Sequence, residues 1–141
     1  MQFQNDCNLV VYNSSGTAKW QSNTAYSSYQ VKDKIMPVMQ TEINNLRKLN
    51  VISFYYKPEM KFADTSKRYG MIAEEVLPLF PDIVDIPEDY DPGKFDLSKG
   101  INQPLPGIKY DRFIPLLIRA MQIQADEIDE LKKQIKKLST T

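Results

Sequence analysis

The stretch IPLLIRAMQIQADEIDELKKQIKKL, residues 114–138, decides the architecture. Counted in sevens, Ile114, Met121, Ile128 and Ile135 occupy one seam position, and Leu117, Gln124, Leu131 and Leu138 occupy the other. This 3-4 spacing persists over three and a half heptads, the signature of a coiled coil rather than of ordinary amphipathicity. Asp111 is the expected N-cap, and Pro115 falls in the first turn, where its missing N–H is tolerated. Glu127 and Lys132 take flanking positions suited to an interchain ion pair. The alternative is a surface helix packed on its own domain, but the residues from Gln134 to Leu138 have no later sequence to cover them. Ile at one seam with Leu at the other leans towards two strands, while the polar Gln124 can fix register and stoichiometry. Seam chemistry alone leaves dimer and trimer open.

Working back from the helix, residues 27–113 read as a small mixed α+β body. Ile35, Val38, Met39, Ile43, Leu46 and Leu49 recur with helical period, predicting a helix from Val38 to Leu49 with Pro37 in its first turn. Val51–Tyr56 is β-branched and aromatic, hence a strand. Lys61–Arg68 is a polar turn, Met71–Leu79 a short helix halted by Pro81, and Asp82–Ile86 another strand. Residues 87–107, with Pro87, Pro92, Pro104, Pro106, Gly93, Gly100 and Gly107, form a long loop held by contacts or left mobile. Residues 1–26 are β-like and polar, with two strands around Asn13-Ser14-Ser15-Gly16. A lone hairpin is marginal in water, so it must pack on something or belong to a larger sheet. The expected division is a β segment at 1–26, a body at 27–113 and a coiled-coil helix at 114–141. Met1 is followed at once by strand-like sequence, as expected of a piece cut from something longer.

Composition narrows the function. The chain has 141 residues, 42% hydrophobic and 26% charged, with 18 basic residues balancing 18 acidic ones. That is globular composition without the basic excess of a nucleic-acid surface. With no histidine and one cysteine, Cys7, there is no histidine-based triad or metal site and no intrachain disulfide. No metal or cofactor is expected. Apolar runs are too short to span a bilayer, so the expectation is a soluble chain whose location is left open. Hydrolytic chemistry would need a base other than histidine, and a lysine serves where burial disfavours its charged form. The segment Ser27-Ser28-Tyr29-Gln30-Val31-Lys32-Asp33-Lys34-Ile35 lies at the boundary between hairpin and body, where a serine could attack the carbonyl before it.

From Ser27 to Leu138 the chain resembles the C-terminal intramolecular chaperone domain of phage tailspikes, tail fibres and endosialidases. That family opens with Ser-Asp-x-Arg-x-Lys, two residues and Ile; here Ser27, Ser28, Gln30, Lys32 and Ile35 stand at those places. Leu46–Leu49 followed by Phe54–Lys57 is similar to the family's first helix and strand. Arg68-Tyr69-Gly70-Met71-Ile72-Ala73-Glu74-Glu75-Val76, then Phe80–Val84, is similar to its most recognisable motif. Ile108–Asp111 leads into a segment that resembles its terminal strand and long helix. The resemblance implies a homotrimer that templates an upstream domain of the same chain and then cuts itself off as a self-cleaving serine peptidase. Ser27 would be the nucleophile, Lys32 its general base and Tyr26–Ser27 the scissile bond. The family's acidic residue and arginine are replaced by Ser28 and Gln30, and Ser28 competes as nucleophile on sequence grounds.

A second resemblance lies upstream. Gln4-Asn5-Asp6-Cys7-Asn8-Leu9-Val10-Val11-Tyr12 is similar to the mannose-binding motif of bulb-type lectins, Gln-x-Asp-x-Asn-x-Val-x-Tyr, with Trp20 at the usual core tryptophan. It implies that Gln4, Asp6, Asn8 and Tyr12 hydrogen-bond sugar hydroxyls while Val10 packs on the ring. Mannose-type glycans are then expected partners. Only one of the three repeats of a complete lectin domain is present. The rival expectation is a non-catalytic trimerisation module of a mannose-binding lectin-like protein.

Overall fold

The computed structural model describes residues 2–3, 9–21, 27–61 and 65–140. The architecture is α+β with small sheets and one long C-terminal helix. The chain divides into two compact units, Met1–Pro37 and Val38–Thr141.

The first unit is an antiparallel three-stranded sheet, β1 (Gln2–Phe3), β2 (Leu9–Tyr12) and β3 (Ala18–Gln21), in that spatial order. The turn joining β2 and β3 is fixed by Asn13, whose carbonyl accepts from Gly16 N–H and whose side chain accepts from Thr17 N–H at 2.8 Å. Gly16 sits at φ +81°, a left-handed conformation that suits glycine. The expected hairpin thus gains a third strand.

In the second unit, α1 (Gln40–Leu46) is followed by β4 (Ile52–Phe54), β5 (Arg68–Gly70), α2 (Ala73–Val76), β6 (Val84–Asp85), β7 (Gly107–Ile108) and α3 (Phe113–Ser139). β4 pairs with β5 and β6 with β7, both antiparallel. The elements are shorter than the sequence predicts. α1 starts after Met39, whose N–H donates to the Glu42 carboxylate at 2.8 Å, so Pro37 lies ahead of the helix rather than in its first turn. Asp111 does not cap α3. It sits in a 3-10 turn, Tyr110–Arg112, which swings Phe113 into the core.

That core is Val76, Phe80, Ile83, Val84 and Phe113, with Leu46, Leu49, Met71, Ile108 and Leu116 packed around it. Phe80 and Phe113 meet edge to face at 5.3 Å, a preferred aromatic geometry. Long-range hydrogen bonds tie the short elements together. Asn45 Nδ2 donates to the Leu79 carbonyl, Lys109 N–H to the Ile83 carbonyl and Arg112 Nη1 to the Asp82 carbonyl. Tyr110 Oη accepts from Met71 N–H at 2.9 Å. Gly70 is forced by this contact, since a Cβ there would stand 2.7 Å from the Tyr110 hydroxyl. The Pro/Gly-rich loop is held by its own polar side chains. Gln103 Nε2 donates to the carbonyls of Asp96 and Gly100, its Oε1 accepts from Asp96 N–H, and Ser98 bonds the Asp96 carboxylate.

Candidate functional site

The loop after the first sheet places the two residues that carry the chemistry expected here. Ser27 and Lys32 are five apart, and an extended chain would hold them roughly 17 Å apart. Instead the backbone reverses, with Val31 N–H donating to the Ser28 carbonyl at 3.2 Å. Gln30 N–H donates to Ser28 Oγ, also at 3.2 Å. The result is Lys32 Nζ at 2.7 Å from Ser27 Oγ, an ammonium donating to a hydroxyl. The same separation serves the reverse transfer, in which a neutral amine accepts the serine proton. Beyond Lys32, Asp33 Oδ1 accepts from Lys34 N–H, and Lys34 holds φ +49°, uncommon for a side chain of its size. Residues 27–36 are all exposed, so solvent reaches both members of the pair.

Tyr26, the residue on the other side of the expected scissile bond, lies outside the described residues, as do Gln4, Asp6 and Asn8 of the lectin-like motif. Of that motif, Val10 is buried at 2% exposure and Tyr12 is half-buried. The Val10 side chain therefore offers almost no surface to a ligand. Among the described residues no group of three histidine, cysteine or carboxylate side chains could hold a metal ion, and no helix is long and apolar enough to cross a membrane.

The seam on α3 lies open in the single chain. Ile114, Leu117, Met121, Ile128, Leu131, Ile135 and Leu138 are each 51 to 77% exposed, and Gln124 is exposed among them. α3 meets α1 through a groove of about 260 Å³ lined by Ile43, Asn44, Arg47, Ile123, Gln124 and Glu127. Glu127 thus faces α1, and Lys132 pairs with Asp129 of its own helix at 3.5 Å. Sequence reading missed a second cavity, about 530 Å³, walled by Phe54, Tyr56, Met71, Leu105, Ile108 and Tyr110. Its walls come from β4, the chain before α2, β7 and the turn before α3. No local pattern could have signalled it.

Residues 27–85 match the family model described as chaperone of endosialidase, beginning on Ser27 and ending with β6. No curated protein matches the chain. Over that segment the chain is similar to the expected C-terminal chaperone domain, and the match supports a chaperone role.

Proposed function

We propose that this chain is a self-associating intramolecular chaperone that assists an upstream domain and then releases itself by cutting Tyr26–Ser27. The observation that carries the reading is the 2.7 Å approach of Lys32 Nζ to Ser27 Oγ. Neutral Lys32 takes the hydroxyl proton as Ser27 Oγ adds to the Tyr26 carbonyl carbon. The C–N bond then breaks, the proton passes to the departing Ser27 nitrogen, and an ester links Tyr26 to the serine oxygen. One water opens that ester, leaving a carboxylate on Tyr26 and a free amine on Ser27. Backbone N–H groups must hold the oxyanion for the addition to proceed.

A lysine acts as base near neutrality only where low-dielectric surroundings disfavour its charge, and this pair is exposed in the single chain. Covering by assembled chains would supply those surroundings. The open seam of α3 supplies the means of assembly, with three chains as the family resemblance implies. Cleavage then follows assembly.

Mass measurement on freshly made protein tests the proposal. A product starting at Ser27 is expected from the parent and none from Ser27→Ala. Lys32→Arg stays folded but uncut, because arginine remains protonated. Intact chains in every case would remove the peptidase. The exposure of Ser27 and Lys32 favours one second reading, a chaperone that associates without cutting, and that result would leave it standing.

A further inference from the structure

The Ser27–Lys32 contact needs a chain reversal that nothing buried imposes. No residue from 27 to 36 is buried, and Tyr29 is 86% exposed. Packing therefore does not bend this loop. Its reversal is held by Ser28, which accepts twice: its carbonyl from Val31 N–H and its Oγ from Gln30 N–H, both at 3.2 Å. A short side-chain acceptor that captures the N–H two residues on is a recognised local turn device, open to Ser, Thr, Asn and Asp and closed to Ala.

We propose that Ser28 is the positioning residue of the Ser27–Lys32 pair: its hydroxyl closes the turn that delivers Lys32 Nζ to Ser27 Oγ. Ser28 does not react. Its oxygen is engaged by Gln30 N–H, while the neighbouring Ser27 oxygen is the one that meets the amine. This resolves the competition between two adjacent serines by hydrogen bonding, one serving the backbone and the other the base. The inference rests on the reading that Ser27 and Lys32 carry out the cut. It adds a requirement on chemistry at position 28: any residue there must be a short acceptor.

The test uses the full chain and two readouts. The first is the rate of cleavage at 26–27, resolved by mass across a range of pH, in the parent, Ser28→Ala, Ser28→Thr and Ser28→Asn. Losing one neutral hydrogen bond slows the Ala variant about five-fold. The midpoint of the pH–rate profile stays where it was, because the base is unchanged, and Thr and Asn return the rate to within about two-fold. The second readout is amide hydrogen exchange at Gln30 and Val31 in the uncut Ser27→Ala background, where adding Ser28→Ala accelerates exchange about five-fold. An Ala variant that cuts at the parental rate overturns the proposal. So does failure of both Thr and Asn to rescue, a product beginning at Ser28, or unchanged exchange at Gln30 and Val31. If the parent itself never cuts, the peptidase reading falls. The exchange measurement then decides alone, faster exchange upholding Ser28 as the residue that shapes the loop and unchanged exchange removing it.

Discussion

Replacing Gly70 by alanine should destabilise the second unit through one contact, that with Tyr110. A Cβ built at Gly70 meets the Tyr110 hydroxyl at 2.7 Å and the Phe54 ring edge at 3.1 Å. To reach ordinary contact near 3.4 Å the hydroxyl must withdraw by about 0.7 Å. A retreat of that size takes its 2.9 Å bond from Met71 N–H to or beyond the useful limit. The lost bond costs about 1 kcal/mol and crowding at Phe54 about another 1. Because φ at Gly70 is not positive, alanine recovers about 0.5 kcal/mol by restricting the unfolded chain. The net expectation is a loss of about 1.5 kcal/mol. Tyr110→Phe alone costs about 1 kcal/mol, for the orphaned Met71 N–H. In the double variant the offending oxygen is gone, so the pair should cost little more than Tyr110→Phe and show a coupling of about 1 kcal/mol. Urea unfolding followed by far-ultraviolet circular dichroism measures all four, at one fixed chain concentration because association contributes to apparent stability. Strict additivity of the two substitutions would refute the reasoning, as would a Gly70→Ala chain as stable as the parent.

Other expectations concern association and the loop. Leu131 is 56% exposed in the single chain, so covering what remains contributes about 1 kcal/mol per chain. In the proposed three-chain assembly Leu131→Asn should weaken association about a hundred-fold; sedimentation equilibrium showing the parental assembly at the same concentration would contradict the seam. In the loop, the Ser98 hydroxyl and N–H hold the Asp96 carboxyl below its usual 3.8. A depressed carboxyl contributes stability at pH above its unfolded value and loses it as pH falls through the folded one. The loop should therefore loosen only in strong acid. Ser98→Ala should move the Asp96 titration, followed by carboxyl NMR, upward, and an unmoved titration would rule out the Ser98 hydroxyl bond as its cause.

What could be read from sequence tracks how local each feature is. The α3 repeat depends on seven-residue spacing alone, and the helix spans Phe113–Ser139. The turn at Asn13–Gly16 was equally legible, because Asn and Gly act within four residues. Where tertiary contacts compete with propensity, the reading overshot. Val51–Tyr56 has strand composition throughout, yet only Ile52–Phe54 finds a partner, in Arg68–Gly70. Asp111 has cap chemistry, but burying Phe113 beside Phe80 puts a 3-10 turn where the cap would be. At the site, the Ser27–Lys32 spacing was visible as a resemblance. The role of Ser28 was not, since an acceptor turn shows only once backbone and hydroxyl directions are known. The cavity around Tyr110 stayed invisible for the opposite reason, its walls lying some fifty residues apart.

The reversal that joins Ser27 to Lys32 spans six residues, and its hydrogen bonds among the described residues lie within them. Loops this short close in well under a microsecond, far ahead of sheet pairing or assembly of long helices. Such a pair exists almost as soon as its residues do, so its geometry keeps no time. In the proposed cleavage the timing would then fall to whatever covers the exposed pair, not to the forming of the loop.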